Sequence, residues 1–198
     1  MKLHYMGKFN KDPESLPHSE HKPDAVKFKE PSNPKKLAII ANVLSVVIMI
    51  LLAVPAFFRC REFIIDNILG SYLGLLLSLL TLFPHEFLHA ICFKEDVYMY
   101  TNLSQGMMFV VGPETMSRSR FVFMSLLPNL VFGIIPYLAG LIFPEKVFLL
   151  SLGIFATGMG AGDYLNVFNA LTQMPKGART YMYQFNSYWY IPQNESDI

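Results

Sequence analysis

Two histidines and the glutamate between them, in His85-Glu86-Phe87-Leu88-His89, are the residues of this chain best suited to chemistry. On a helix, positions four apart stand one above the other on the same face. That spacing lets two imidazoles hold one zinc ion, and the glutamate can serve as general base toward the metal-bound water. The soluble metzincin pattern does not fit, because it needs a glycine and a third histidine soon after the motif. Glu95-Asp96-Val97 stands there instead, and the other histidines, His4, His18 and His21, all fall in the polar N-terminal segment. An acid is therefore expected as the third ligand.

The elements that must position these groups are apolar and long. The motif closes a stretch from Ile68 to Cys92 that reads as a membrane span, and three more such stretches run from Leu37 to Phe58, Phe121 to Phe143 and Val147 to Leu171. About 20 apolar residues are enough to cross a bilayer as a helix. Of the 198 residues, 53% are apolar and 16% charged, against roughly 25% charged in an average soluble domain. The expected fold class is mainly α and integral to the membrane, with about four transmembrane helices and a short β-hairpin between the second and third. Val97–Thr101 and Met107–Val111 are the β-prone arms of that hairpin, with a turn over 102–106.

Charge placement sets the expected orientation. Lys and Arg number eight in residues 1–36, then two (Arg59, Arg61), three (Lys94, Arg118, Arg120), one (Lys146) and two (Lys176, Arg179) in successive connections. Cytoplasmic segments carry the excess of basic residues, so both termini are expected inside the cell membrane. Residues 1–36 then form a polar cytoplasmic segment with no early apolar core, hence no cleaved signal peptide. Residues 37–180 form the membrane-embedded domain. The tail over 181–198 holds Tyr181, Tyr183, Phe185, Tyr188, Trp189 and Tyr190, which suit an interfacial aromatic anchor. A net charge of +1 gives no reason to expect a nucleic-acid partner. The two cysteines, Cys60 and Cys92, fall at opposite membrane faces and are read as packing residues, not a disulfide.

Depth along the spans points to the missing ligand. His85 lies about 10 Å from the inner end of its span and Asp163 about 12 Å from the inner end of the fourth, at 1.5 Å per residue. A carboxylate at such depth costs about 2.5–3.5 kcal/mol to insert and needs a partner. A metal held by His85 and His89 would be one. Glu114 is the rival acid, expected to face solvent in a polar loop. Pro84 removes a backbone donor just before the motif and can open the helix there. Gly158, Gly160 and Gly162 would let the Asp163 helix approach the motif helix closely, while Gly70 and Gly74 suit close packing of the second span.

With His85-Glu86-Phe87-Leu88-His89-Ala90 in a span, a β-hairpin next, Gly160-Ala161-Gly162-Asp163 in a later span and Pro175-Lys176-Gly177 after it, the chain resembles the zincin peptidases of bacterial membranes. That family is itself similar to the site-2 proteases, whose later aspartate belongs to an Asp-Gly pair; here Tyr164 follows Asp163. The resemblance covers about residues 37–180. It implies a zinc metalloprotease with His85, His89 and Asp163 as ligands and Glu86 as general base, cleaving peptide bonds of membrane or membrane-proximal proteins. The edge of the hairpin could accept an extended substrate by strand addition. The alternative from another class is a non-catalytic membrane protein, either a metal-binding scaffold or an immunity or partner protein.

Overall fold

The computed structural model describes residues 1–31, 34–102, 107–184 and 186–193. From the N-terminus, strand β1 (Leu3–Lys8) and the short β2 (Val26–Lys27) precede a long helix, α1 (Pro34–Asp66). Helices α2 (Ile68–Leu80) and α3 (Leu82–Ala90) come next, then strands β3 (Val97–Asn102), β4 (Met107–Val111) and β5 (Met116–Ser117). Helix α4 (Arg118–Pro128) runs through a π-helical segment (Asn129–Ile134) into α5 (Ile135–Ile142). Helices α6 (Val147–Met159) and α7 (Ala161–Gln173) lead to the closing strands β6 (Arg179–Tyr183) and β7 (Asn186–Tyr190). The protein is mostly helical, with two small sheets among the described residues.

The chain divides into two compact units: Pro31–His85 with Leu126–Leu165, and Met1–Glu30 with Glu86–Ser125 and Asn166–Ile198. The first is helical. Among the described residues two stretches, Lys35–Asp66 and Arg118–Ile142, are long and apolar enough to cross a membrane, and up to four if each bent pair is counted as one span. The bent pairs are α2 with α3, at 42°, and α6 with α7, at 52°. The expected second and fourth spans are therefore broken rather than straight. Each break has a local cause. Pro84 has no N–H to give the carbonyl of Leu80, four residues back, and its ring crowds that carbonyl; Leu80 is where α2 ends. Gly160 caps α6 and its N–H bonds the Ala156 carbonyl. The polar link expected over Arg59–Asp66 is helical instead, beyond a kink at the non-helical Cys60 where two helical segments join to make α1.

Helix α6 is the hub of this unit, packing on α1, α2 and α5. Gly74 makes the close approach to α6 possible: a Cβ there would run into the Phe148 carbonyl and Ser151. Ala56, Cys60, Tyr137 and Leu150 form a buried cluster, and the Tyr137 hydroxyl donates to the Leu52 carbonyl at 2.9 Å. Elsewhere α1 is open along its length, with Leu51 and Phe58 among many exposed apolar residues. An apolar face of that extent is a liability in water and suits hydrocarbon.

The second unit holds both sheets. In one, the order is β1-β3-β4; in the other, β2-β7-β6-β5. β3 and β4 form the expected antiparallel pair, with Tyr98 opposite Val111 and Asn102 opposite Met107. Residues 103–106 of the expected turn lie outside the described residues. The N-terminal segment is a structural part of this unit: β1 lies parallel to β3, and Phe9 and Leu16 are buried with Tyr100 and Val111. Phe28 is buried with Ala170, Met174 and Ala178. Of the tail aromatics, Tyr181 and Tyr190 are buried strand residues, and Tyr181 stacks on Tyr188 at 5.9 Å; Phe185 lies outside the described residues. Both cysteines are free thiols.

Candidate metal centre

Helix α3 carries His85, Glu86 and His89. The break before it leaves the Thr81 carbonyl to accept the His85 N–H at 2.8 Å, so the motif begins on the first turn of a fresh helix. One ligating atom from each of the three residues falls within a sphere of mutual separations no larger than 4.8 Å. His89 is buried, and His85 and Glu86 are half-buried. That grouping follows from sequence spacing on a regular helix.

The orientation of His89 is set by its neighbour across the turn. Its Nδ1 lies 2.9 Å from the Met124 carbonyl. A carbonyl only accepts, so Nδ1 carries the proton and Nε2 presents the electron pair. Metal-binding imidazoles are characteristically held in this way by a backbone carbonyl or carboxylate on the other nitrogen.

Within the helical unit, Asp163 meets His85. Its Oδ2 is 3.1 Å from His85 Nε2, and both side chains are about one-sixth exposed, 15% and 16% respectively. Asp163 stands in the first turn of α7, where the helix dipole favours a carboxylate. The same Oδ2 accepts a hydrogen bond from Asn129 Nδ2 at 2.7 Å. Asn129 was not singled out from the sequence, although a buried amide inside an apolar span was a usable signal. It opens the π-helical segment, placed where Pro136 cannot donate to the Phe132 carbonyl and the ordinary ladder is interrupted. Such π turns recur at functional sites.

The glycines near Asp163 act differently from the sequence expectation. Gly158 faces Met49 of α1, and Gly162 has nothing within 4 Å of where a Cβ would stand. Gly160 is the one tied to the site, because a Cβ there would overlap the Asn129 carboxamide. Glu114 departs from expectation too. It is buried, not solvent-facing: Oε2 accepts from the backbone N–H groups of Lys94 and Glu95, both at 2.6 Å, and Oε1 pairs with Arg120 at 2.6 Å. Arg120 also donates to the Cys92 carbonyl, at 2.9 Å from Nε.

The model of the family described as "Putative zincin peptidase" matches residues 78–179, just over half of the chain. The chain belongs to that family. Comparison with curated proteins and with solved structures gave no match. The zincin match takes in His85, Glu86, His89, Asn129 and Asp163. Zincin membership supports a metallopeptidase and implies zinc, and the donor set is of the right kind: imidazole nitrogen with carboxylate oxygen. Two ligands of one tetrahedral zinc stand about 3.4 Å apart, given bonds of roughly 2.1 Å. The 3.1 Å between His85 and Asp163 is close to that separation.

Proposed function

We propose that the protein is a membrane-embedded zinc metallopeptidase in which His85, His89 and Asp163 hold the metal and Glu86 is the general base. The observation that carries this reading is the contact between His85 Nε2 and Asp163 Oδ2 at 3.1 Å, joining the motif helix to an acid 78 residues away. It supports an HExxH site completed by a carboxylate, in the manner of the site-2 proteases.

Zinc, when bound, supplies a Lewis acid that polarises a scissile carbonyl and lowers the pKa of water. The remaining work falls to the chain. Glu86, beside a ligand and within the same cluster, takes the proton of the attacking water and returns it to the leaving amine. The Met124 carbonyl keeps the His89 ring in one tautomer and orientation. Asn129 keeps Asp163 turned toward His85. The substrates are peptide bonds of membrane or membrane-proximal proteins, with both termini of the enzyme in the cytoplasm. β4 is an outer strand of its sheet, and an extended peptide pairing with it would be held for cleavage.

The test is zinc per chain in detergent-purified protein, together with hydrolysis of a fluorogenic peptide library. About one zinc is expected in the wild type, with large losses in His85→Ala and Asp163→Ala. Glu86→Gln should keep the metal and lose about 10²–10⁴-fold in turnover. Metal retained in Asp163→Ala would move the third ligand elsewhere. Full zinc without turnover in any variant would favour a metal-binding scaffold, and a folded wild type without zinc would end both readings.

A further inference from the structure

Away from the metal centre, within the sheet-bearing unit, lies a cavity of about 330 Å³. Ser117, Arg118, Ser119, Lys176 and Arg179 bring the polar groups to its lining. Among the described residues no carboxylate lines it and none pairs with Arg118, Lys176 or Arg179. Two of the three cations are held in place by neutral acceptors. Arg118 Nη1 donates to the Met174 carbonyl at 2.9 Å. Arg179 donates from Nε to Thr115 Oγ1 at 2.9 Å and from Nη2 to the Thr115 carbonyl at 3.0 Å. Each guanidinium thus keeps its full charge and spare N–H donors while its orientation is set. Fixed guanidinium forks backed by hydroxyls are the donor set that suits a phosphate group.

The position of the cavity narrows the source of that phosphate. Arg118 is the first residue of the apolar stretch Arg118–Ile142. If that stretch crosses a bilayer, its first residue lies where hydrocarbon gives way to headgroups. We propose that this cavity binds the phosphate of an anionic phospholipid headgroup. The inference rests on the membrane-spanning part of the reading above and not on its peptidase part. Selectivity follows from charge. A zwitterionic choline headgroup brings an ammonium into a site whose described lining holds three cations and no acid, whereas a glycerol headgroup brings hydroxyls.

The full chain in detergent, titrated by native mass spectrometry with dioctanoyl phosphatidylglycerol, dioctanoyl phosphatidylcholine and inorganic phosphate, tests this. Phosphatidylglycerol should bind at least about tenfold more tightly than phosphatidylcholine. Replacing all three cations with glutamine should abolish the preference. Because Arg118 and Arg179 also hold backbone, Lys176→Gln provides the safer variant: Lys176 is exposed and makes neither of those contacts. It should weaken phosphatidylglycerol about fivefold and leave zinc per chain unchanged. Equal affinity for the two lipids, or an unchanged affinity in Lys176→Gln, overturns the proposal. Inorganic phosphate binding as tightly as phosphatidylglycerol, with the same loss in the variant, overturns the lipid source and assigns a free phosphate. A chain that stays soluble without detergent refutes the membrane premise separately, whatever its zinc content.

Discussion

Asp163 in the helical unit and Glu114 in the sheet-bearing unit are both acids withdrawn from water, and their surroundings differ in kind. Glu114 is saturated by permanent donors: two backbone N–H groups on one oxygen and a guanidinium on the other. Its charge is spent locally, joining the chain just after α3 to the start of α4. Asp163 meets an imidazole and a carboxamide on the same oxygen, groups that bring no permanent charge. A carboxylate paired with a permanent cation has little left to offer a metal ion, whereas an imidazole and a carboxamide leave it better able to bind one. The comparison teaches that burial of an acid does not mark a site. The nature of its partners does.

The strongest way to break that comparison is to remove each acid and read both stability and metal. Glu114→Ala takes a buried carboxylate away from a half-buried guanidinium and two N–H groups, which should cost about 1–3 kcal/mol of stability. Thermal unfolding in detergent should show a clearly lowered midpoint, with zinc per chain still near the wild-type value. Asp163→Ala should do the reverse, keeping the unfolding midpoint within a few degrees and losing zinc. Loss of zinc in a Glu114→Gln protein that remains folded would collapse the distinction.

These two acids also show where sequence reading succeeds and where it stops. The helical spacing of His85 and His89 depends only on a fixed rise per residue, so it was legible, and the meeting of His85 with Asp163 was expected from their similar distances to the ends of their apolar stretches. The β3–β4 pair was legible for the same reason, being local and bounded by turn residues. Glu114 was misread because its partners, Lys94, Glu95 and Arg120, come together only through the loops around β3–β5. Likewise β1 pairs in parallel with β3 across about ninety residues of chain, and isolated apolar residues such as Phe9 and Leu16 form no periodic run. Breaks in the spans were half-visible. Pro84 announced one, but the kink in α1 falls at Cys60 and not at Pro55, so a proline alone does not place a break.

A smaller effect sharpens the account of Asp163. If Asn129 aims the carboxylate, then disturbing Asn129 from outside the ligand set should weaken metal binding without abolishing it. Gly160→Ala does this through space, because the added methyl group would occupy the position of the Asn129 carboxamide. Asn129→Ala does it by deletion. Each should lower zinc affinity by about 10–100-fold, the usual scale for groups that orient a ligand. Competition with a chelator of known affinity provides the measurement. The double variant should fall no further than the worse single one, since both act through the same hydrogen bond. Additive losses would mean that Gly160 matters only for helix packing.

The smallest effect concerns Asp96, the exposed counterpart of Glu114. It too accepts from a backbone N–H, that of Lys2 at 2.9 Å, and from His4 Nε2 at 3.0 Å, stapling β1 beside β3. The hydrogen bond from His4, followed by that from Lys2, holds its carboxyl below the usual carboxylate range. A depressed folded pKa means that the contribution is fully present above the unfolded value of about 3.9 and is lost as pH falls through the folded pKa. Solvent screens the staple, so Asp96→Asn should leave global unfolding unchanged at pH 7. The change should appear only as faster amide exchange across residues 3–8, read by mass spectrometry. Wild-type protection there should persist from neutral pH down to about 4 and decline below it, while the variant shows no such step. Unchanged exchange in Asp96→Asn would mean that the parallel ladder alone holds β1. In that case water cancels at Asp96 the kind of hydrogen bonding that burial makes count at Glu114.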